Sequence, residues 1–184
     1  ALALLQNMVS VEPPSLDKEL TDQLGRFIGA RFADIGGDVE FIPAEKFGTH
    51  LLVRFQASSS RDRILLLGHT DTVWPAGEIV KRPFKIESGR ATGPGVFDMK
   101  AGIVLMWMAL RALKERPVTV LLTSDEEAGS TSSRDWIESE AGKSRAVLVL
   151  EPSLPGGALK TARKGVGRFT VKAIGRAAHA GIDP

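Results

Sequence analysis

Ionisable side chains directly follow three apolar runs of this sequence. They are His69 and Asp71 after residues 64–67, Asp125, Glu126 and Glu127 after residues 118–122, and Glu151 after residues 147–150. The runs are apolar on both faces, as buried strands of a parallel sheet are. Because ligands of an open α/β sheet bind outside the carboxyl ends of its strands, we expect these side chains to meet at one edge.

Asp98 is a further carboxylate that a different kind of segment can bring to the same edge. It ends the sequence Gly-Pro-Gly-Val-Phe-Asp at residues 93–98, ahead of a helix predicted over residues 101–115. The glycines allow the backbone to bend sharply there. One histidine and several carboxylates are therefore expected to converge.

Carboxylates that are crowded in a poorly solvated cleft repel one another, so such a cluster requires protons or a cation. One imidazole with several carboxylates suits zinc, with cobalt or manganese as substitutes, and the carboxylates are numerous enough for two ions bridged by one of them. A metal pair suits hydrolysis, because one ion polarises a carbonyl while both lower the pKa of a bridging water. Of Glu126 and Glu127, one can bind metal while the other remains a general base.

Each of these signals also has an ordinary structural interpretation. A histidine after a strand is usually a hydrogen-bonded structural residue, and Asp71 alone could be a cap. Adjacent acids such as Glu126 and Glu127 most often lie on a solvated face or in the first turn of a helix, and Glu151 before a proline could mark a turn. Their joint occurrence at successive strand ends is what favours a metal centre.

The surrounding pattern predicts the elements that position these residues. Apolar residues at helical spacing between positions 16 and 32 predict an amphipathic helix, and shorter helices are expected at residues 101–115 and 132–141. The alternation of these helices with apolar runs predicts an α/β fold, a three-layer sandwich with a mostly parallel sheet. A hairpin with a turn at Ser88 and Gly89 is expected to stand off this sheet.

The last twenty residues differ in character from the rest. Apolar and polar residues alternate between residues 165 and 175, which predicts a half-exposed strand that opens a smaller α+β domain. We therefore divide the chain into residues 1–164, part of a metal-binding domain, and residues 165–184. Because the chain starts at Ala1 and stops directly after a motif-like segment, we expect it to be a fragment.

Composition excludes several other classes of protein. The 184 residues carry 24 Lys and Arg against 22 Asp and Glu, a formal net charge of +2, which disfavours nucleic acid as a partner. There is no cysteine, so thiolate metal sites and disulfides are impossible. The apolar runs are too short to cross a membrane and the start lacks the pattern of a signal peptide, so we expect a soluble, cytoplasmic protein.

Three motifs together resemble the zinc-dependent amidohydrolase and exopeptidase family of acetylornithine deacetylase, succinyl-diaminopimelate desuccinylase, aminoacylase and glutamate carboxypeptidase. They are Gly-His-Thr-Asp-Thr-Val at residues 68–73, Gly-Pro-Gly at 93–95 with Asp-Met-Lys-Ala-Gly at 98–102, and Thr-Ser-Asp-Glu-Glu-Ala-Gly-Ser at 123–130. The segments Leu-Glu-Pro-Ser at 150–153 and Gly-Arg-Ala-Ala-His-Ala-Gly at 175–181 are most similar to bacterial glutamate carboxypeptidase, which releases C-terminal glutamate from folate-like compounds.

The resemblance implies a specific set of metal ligands. By comparison with the family, His69 and Glu151 bind one zinc ion. Glu127 binds the other ion, and Asp98 bridges the two. The further histidine that the family supplies to its second zinc has no counterpart in this sequence, and the groups that hold the substrate carboxylate are expected beyond it.

The resemblance also implies roles for residues that do not bind metal. Asp71 would orient His69 from behind, and Glu126 would take a proton from the bridging water and return it to the leaving amine. The peptide bond between Asp98 and Met99 is expected to be cis. His179 would steady the oxyanion in the active site of a partner subunit of a homodimer, whereas its alternative interpretation is an exposed loop histidine.

The sequence thus predicts a metallo-carboxypeptidase that hydrolyses the amide bond before a C-terminal amino acid in a small peptide. An N-acyl amino acid deacylase shares every motif and is the main alternative. A non-catalytic metal-binding relative or an inactive fragment is the alternative from another class of protein. A serine hydrolase is excluded, because the sequence has no Gly-x-Ser-x-Gly motif.

Overall fold

The computed structural model describes residues 1–55, 63–113, 117–167, 169–172, 174–176, 178–179 and 181–182. A surface loop predicted at residues 58–60 and the end of the helix predicted over residues 101–115 lie partly or wholly outside these ranges. By its internal contacts the chain divides into two units, Ala1–Pro152 and Ser153–Pro184.

The first unit contains all of the named helices and strands. They are α1 (Leu2–Val9), α2 (Lys18–Ala33), β1 (Asp38–Ile42), β2 (His50–Phe55), β3 (Ile64–His69), α3 (Glu78–Lys81), β4 (Lys85–Glu87), β5 (Arg90–Thr92), α4 (Ala101–Ala112), β6 (Val118–Thr123), α5 (Arg134–Gly142) and β7 (Ala146–Val149). A short π-helical turn, Val96–Lys100, leads directly into α4. No helix in the described part of the chain has the length and apolar character needed to cross a membrane.

Five strands form one mixed sheet in the order β1-β2-β6-β3-β7. β6, β3 and β7 are mutually parallel, whereas β2 runs antiparallel to both of its neighbours. Four of these five strands therefore point the same way, and only β2 is reversed. Because the strands that carry the ionisable residues are parallel neighbours, their carboxyl ends meet at one edge, as predicted.

Helices cover both faces of this sheet, which confirms the α/β sandwich. Side chains of α1, α2 and α4, such as Met8, Phe32 and Met106, pack with alternate residues of β2 and β6 in the larger core cluster. The residues that point to the other face, including Leu52 and Leu121, pack against Trp136 and Ile137 of α5. Successive strand residues face opposite layers, so a strand with helices on both sides must be apolar throughout.

The predicted hairpin is also confirmed. β4 and β5 pair antiparallel around Ser88 and Gly89, both of which have positive φ angles, 50° and 75°. Two consecutive residues with positive φ form the tight turn that matches the twist of a two-stranded ribbon. The hairpin forms a sheet of its own, apart from the main sheet.

The prediction that β7 is buried is wrong. Val147, Leu148 and Val149 are 39%, 49% and 52% exposed, although their sequence is as apolar as that of the central strands. β7 lies at the end of the strand order and pairs only with β3 among the described strands. A strand at the edge of a sheet has a neighbouring strand on one side only, and its apolar sequence does not show that it lies at the edge.

The described residues of the second unit contain no strand between positions 165 and 175, where the sequence predicted one. In its described residues the only regular element is a single 3₁₀ turn, Pro155–Gly157. Val166, Phe169 and Val171 are each more than 90% exposed. A strand requires a neighbour to satisfy its backbone, and no described residue pairs with this segment. That residues 165–184 open a second domain stays a prediction.

Gly102 sets how closely α4 approaches the sheet, and its replacement tests the packing. A Cβ atom at Gly102 would overlap the carbonyl oxygen of Leu150, directly after β7. We expect Gly102→Ala to lower the free energy of unfolding by about 1–3 kcal/mol, because backbone must move to make room. Denaturant titration measures this change.

Gly142, at the end of α5, is the matched control because nothing lies within 4 Å of a Cβ atom placed there. Gly142→Ala is expected to leave stability unchanged or slightly raised, since alanine is the better helix former. Equal effects of the two substitutions would contradict the proposed close approach at Gly102.

Candidate metal centre

His69 is the last residue of β3, and both of its ring nitrogens are engaged. Its ring is buried, and Nδ1 lies 2.9 Å from the backbone oxygen of Asp71 and 3.4 Å from that residue's Oδ1. Nε2 lies 3.1 Å from Oδ1 of Asp98 and 3.1 Å from Oε1 of Glu151. Asp71 thus fixes one side of the imidazole, and the other side faces two carboxylates.

A bent loop brings Asp98 to this point although it belongs to no strand. Gly95 begins the bend with a φ of 68°, a conformation that favours glycine, and Asp98 then lies inside the π-helical turn. The peptide bond between Asp98 and Met99 is cis, which confirms the prediction. The sulfur of Met99 accepts the backbone N–H of His69 at 3.2 Å, so the loop is joined directly to β3.

The loop after β6 places Glu126 and Glu127 beside the same histidine. The carboxylate of Asp71 accepts the backbone N–H of Glu126 at Oδ1 (3.3 Å) and that of Glu127 at Oδ2 (3.1 Å). Glu127 is half-buried, whereas Glu126 is exposed. The two adjacent acids are therefore in different surroundings.

His69, Asp98 and Glu127 can each offer one ligand atom, and these three atoms lie within 4.8 Å of one another. Glu151 adds a carboxylate oxygen on the Nε2 side of His69. One imidazole nitrogen and carboxylate oxygens are the ligand types that zinc accepts. The arrangement of the four residues fits a metal centre. The side chain of Asp98 is 52% exposed, so this centre is open on one side.

The charges at this edge are poorly balanced without a cation. Burial disfavours the imidazolium, but hydrogen bonds to Asp71 and Glu151 and their negative charges outweigh it and raise the pKa of His69 to about 11. Burial, followed by the hydrogen bond and charge of Glu151, raises the pKa of Asp98. A proton or a metal ion is therefore strongly favoured at the point where Nε2 meets the carboxylates.

The carboxyl groups of Glu126 and Glu127, which follow β6, are crowded by the same charges. Burial is the largest cause that raises the pKa of Glu127, and the charge of Asp98 adds to it. Glu126 is exposed as a whole residue, yet its neighbours partly desolvate its carboxyl group, and this together with the nearby carboxylates raises its pKa. His69 opposes the rise in both cases.

His50 holds both ends of the loop that carries these two acids, a role that the sequence did not indicate. Its Nδ1 accepts the backbone N–H of Ser124 at 3.2 Å, so its Nε2 carries the proton and donates to the hydroxyl of Ser132 at 3.1 Å. The hydroxyl of Ser132 in turn donates to Asp125 at 2.8 Å. His50 is buried at the start of β2 and is engaged in this network, so it is not among the candidate ligands.

The remaining predicted residue, His179, lies in the second unit. It is exposed, and its Nδ1 accepts the backbone N–H of Gly181 at 3.2 Å. This local contact neither supports nor contradicts the predicted role, which stays a prediction.

Comparisons with known proteins show the family to which this chain belongs. The family described as peptidase family M20/M25/M40 matches residues 65–183, more than half of the chain. The chain belongs to this family of metal-dependent peptidases and amidohydrolases.

Two curated relatives match along nearly the whole chain. Carboxypeptidase G2 of Pseudomonas sp. (strain RS-16) is 33% identical over 98% of this chain and 45% of its own length. Acetylornithine deacetylase of Salmonella arizonae is 29% identical over 96% of this chain and 47% of its own length. The chain thus spans about half the length of the curated relatives that it matches.

Solved structures support the fold. Human carnosine dipeptidase 1 superposes with a TM-score of 0.71 at 16% identity, over 83% of this chain and 38% of that chain. The metallo-carboxypeptidase of the M20 family from Sulfolobus solfataricus gives a TM-score of 0.69 at 20% identity, over 85% and 38%. At these identities the likeness shows the fold alone.

The position of His50 predicts how stability depends on pH. Burial is the largest cause that lowers the pKa of His50 from its ordinary value of 6.5; Lys18 adds to this, while the charges of Asp125 and Asp71 oppose it. Below pH 6.5 the unfolded chain therefore takes up a proton that the folded protein resists, and stability falls. In His50→Asn the amide oxygen can still accept the N–H of Ser124 but does not titrate, so we expect a smaller loss of stability between pH 7 and pH 5.

Denaturant titration of both proteins across this pH range measures the difference. His179→Asn, which removes an exposed histidine, serves as the control for loss of a histidine in general. Parallel pH profiles of the wild type and His50→Asn would show that His50 does not remain neutral in the fold.

Proposed function

We propose that the protein containing this chain is a two-zinc metallo-carboxypeptidase. It would hydrolyse the amide bond before a C-terminal amino acid, glutamate or a similar residue, in a small peptide. The observation that carries the proposal is the buried imidazole of His69, which faces the carboxylates of Asp98 and Glu151 at 3.1 Å on the side away from Asp71. The 33% identity to a carboxypeptidase supports this substrate class.

The ligands divide between two ions in this proposal. His69 and Glu151 would hold one zinc ion, Glu127 would hold the other, and Asp98 would be a ligand of both. Cobalt or manganese could substitute for zinc. When bound, the metal pair supplies Lewis acidity, which polarises the scissile carbonyl and lowers the pKa of a water molecule.

Glu126 is the general base of the proposed reaction. It takes one proton from the attacking water, whose oxygen forms a bond to the carbonyl carbon. The carbon–nitrogen bond then breaks, and Glu126 returns the proton to the leaving amine. Its backbone N–H is held by Asp71 directly beside the candidate ligand Glu127, which supports a place for its carboxylate next to the reacting water.

An N-acyl amino acid deacylase is the second candidate. The 29% identity to acetylornithine deacetylase favours it, and both reactions hydrolyse an amide beside a carboxylate-bearing amino acid. The metal chemistry would be the same in both. The two candidates differ in which fragment of the substrate the protein recognises.

The remaining proposals concern the whole protein. We infer a homodimer in which His179 of one subunit would steady the oxyanion in the active site of the other. A cytoplasmic location also stays a prediction.

A substrate panel applied to the full-length protein tests the proposed function. We expect the zinc-loaded protein to release the C-terminal residue from peptides that end in glutamate or alanine. A chelator should abolish this activity, and zinc, cobalt or manganese should restore it. Hydrolysis of N-acetylornithine without action on the peptides would favour the deacylase. A metal-loaded protein that leaves all these amides intact would reject both candidates.

Replacement of Glu126 tests the assignment of the base. We expect Glu126→Gln in the full-length protein to lower kcat by about 10²–10⁴-fold, because the attacking water loses its proton acceptor. Zinc content, measured by elemental analysis, should stay at the wild-type value. Glu45→Gln, at an exposed position, is the matched control and should keep full activity. Turnover that survives Glu126→Gln would show that another group is the base.

A further inference from the structure

Residues 11–15, in the link between α1 and α2, contact several loops of the candidate metal centre. The backbone oxygen of Val11 accepts from Lys100 Nζ at 2.9 Å, within the turn that carries Asp98. The backbone oxygen of Pro13 accepts the N–H of Thr72 at 2.9 Å, next to Asp71. This link lies outside residues 65–183, the part that the family match covers.

Ser15 makes the most direct of these contacts. Its hydroxyl donates to Oδ2 of Asp71 at 2.6 Å, between residues that are 56 positions apart in sequence. Charge-assisted hydrogen bonds of this length are among the stronger ones in proteins. Ser15 therefore holds a residue that itself holds other parts of the site.

The side chain of Asp71 is fully buried, so each of its oxygens needs donors. Oδ2 accepts the hydroxyl of Ser15 and the backbone N–H of Glu127, while Oδ1 accepts the N–H of Glu126 and lies 3.4 Å from Nδ1 of His69. The Ser15 hydroxyl is the only side-chain hydroxyl among these donors in the described part of the chain. The other groups, the backbone N–H of Glu126 and of Glu127 and the imidazole of His69, belong to the candidate metal centre itself.

Loss of the Ser15 hydroxyl would remove the shorter of the two hydrogen bonds that Oδ2 accepts from described residues, and would leave this buried oxygen with the N–H of Glu127 alone. Asp71 could satisfy it only by rotating or by admitting water. Either change would shift His69, to which Asp71 is joined, and the backbone of Glu127. Both are candidate metal ligands, so the effect would reach the ion.

We propose that Ser15 is a positioning residue that acts through Asp71 to fix the metal ligands. The inference rests on the proposed function only for the identity of the ion. Outer hydrogen bonds of this kind typically change metal affinity by about 10–100-fold when they are removed. Ser15 touches neither ion nor substrate in this proposal.

Zinc titration of the full-length protein against a chromophoric chelator tests the proposal. We expect Ser15→Ala to bind zinc at least about ten-fold more weakly than the wild type. The absorption spectrum of the cobalt-loaded protein should change as well, because the orientation of His69 changes. Ser15→Thr keeps a hydroxyl donor and should restore both properties. Ser10→Ala is the matched control, because the hydroxyl of Ser10 donates to the backbone oxygen of Gln6 on an exposed turn, away from Asp71.

Wild-type zinc affinity and cobalt spectrum in Ser15→Ala would overturn the proposal. Should Ser15→Ala fail to fold, Ser15→Val is compared with Ser15→Thr, which has nearly the same size but keeps the hydroxyl. Weaker zinc binding by Ser15→Val than by Ser15→Thr would then support the proposal, and equal affinity of the two would overturn it. The titration needs no substrate, so it tests the role of Ser15 independently of the proposed function. If the protein binds zinc but cleaves no amide, the proposed function is contradicted, and the titration still shows whether Ser15 positions the metal ligands.

Discussion

Negative charge crowded around one buried imidazole is the constraint on which the rest of this structure depends. Carboxylates from three loops approach His69, and burial raises the pKa of three of them, Asp98, Glu126 and Glu127. Such a cluster is stable only where a cation or protons neutralise it and where the backbone prevents the carboxylates from separating. The parallel strands meet the second condition, because β3, β6 and β7 end side by side.

Close contacts hold the loops of this edge in place. Gly95 turns the backbone ahead of Asp98, and Gly102 lets α4 lie against the residue that precedes Glu151. Asp71 binds the backbone of the loop after β6, and His50 holds both ends of that loop. The ligand geometry is therefore a property of buried backbone contacts as much as of the ligands themselves.

The sequence predicted the parts of the fold that local pattern determines. Apolar runs located β3, β6 and β7, and the rule that ligands lie at strand ends led to His69, Glu127 and Glu151. Contacts between distant residues leave no such pattern. The hydroxyl of Ser15 and the imidazole of His50 act across 56 and 74 positions of sequence, so composition and periodicity could not reveal them. The exposure of β7 was not predicted for a related reason, because the sequence of a single strand does not determine its position in the sheet.

The arrangement also accounts for relatives with different substrates. In the proposed function, the residues around His69 would act on the ion, the water molecule and the scissile amide, and both candidate reactions require these. Selection between C-terminal and N-acyl substrates requires groups that contact the rest of the substrate. A chain that carries the shared chemistry should therefore match both kinds of enzyme along nearly its whole length, as this one does at 33% and 29% identity.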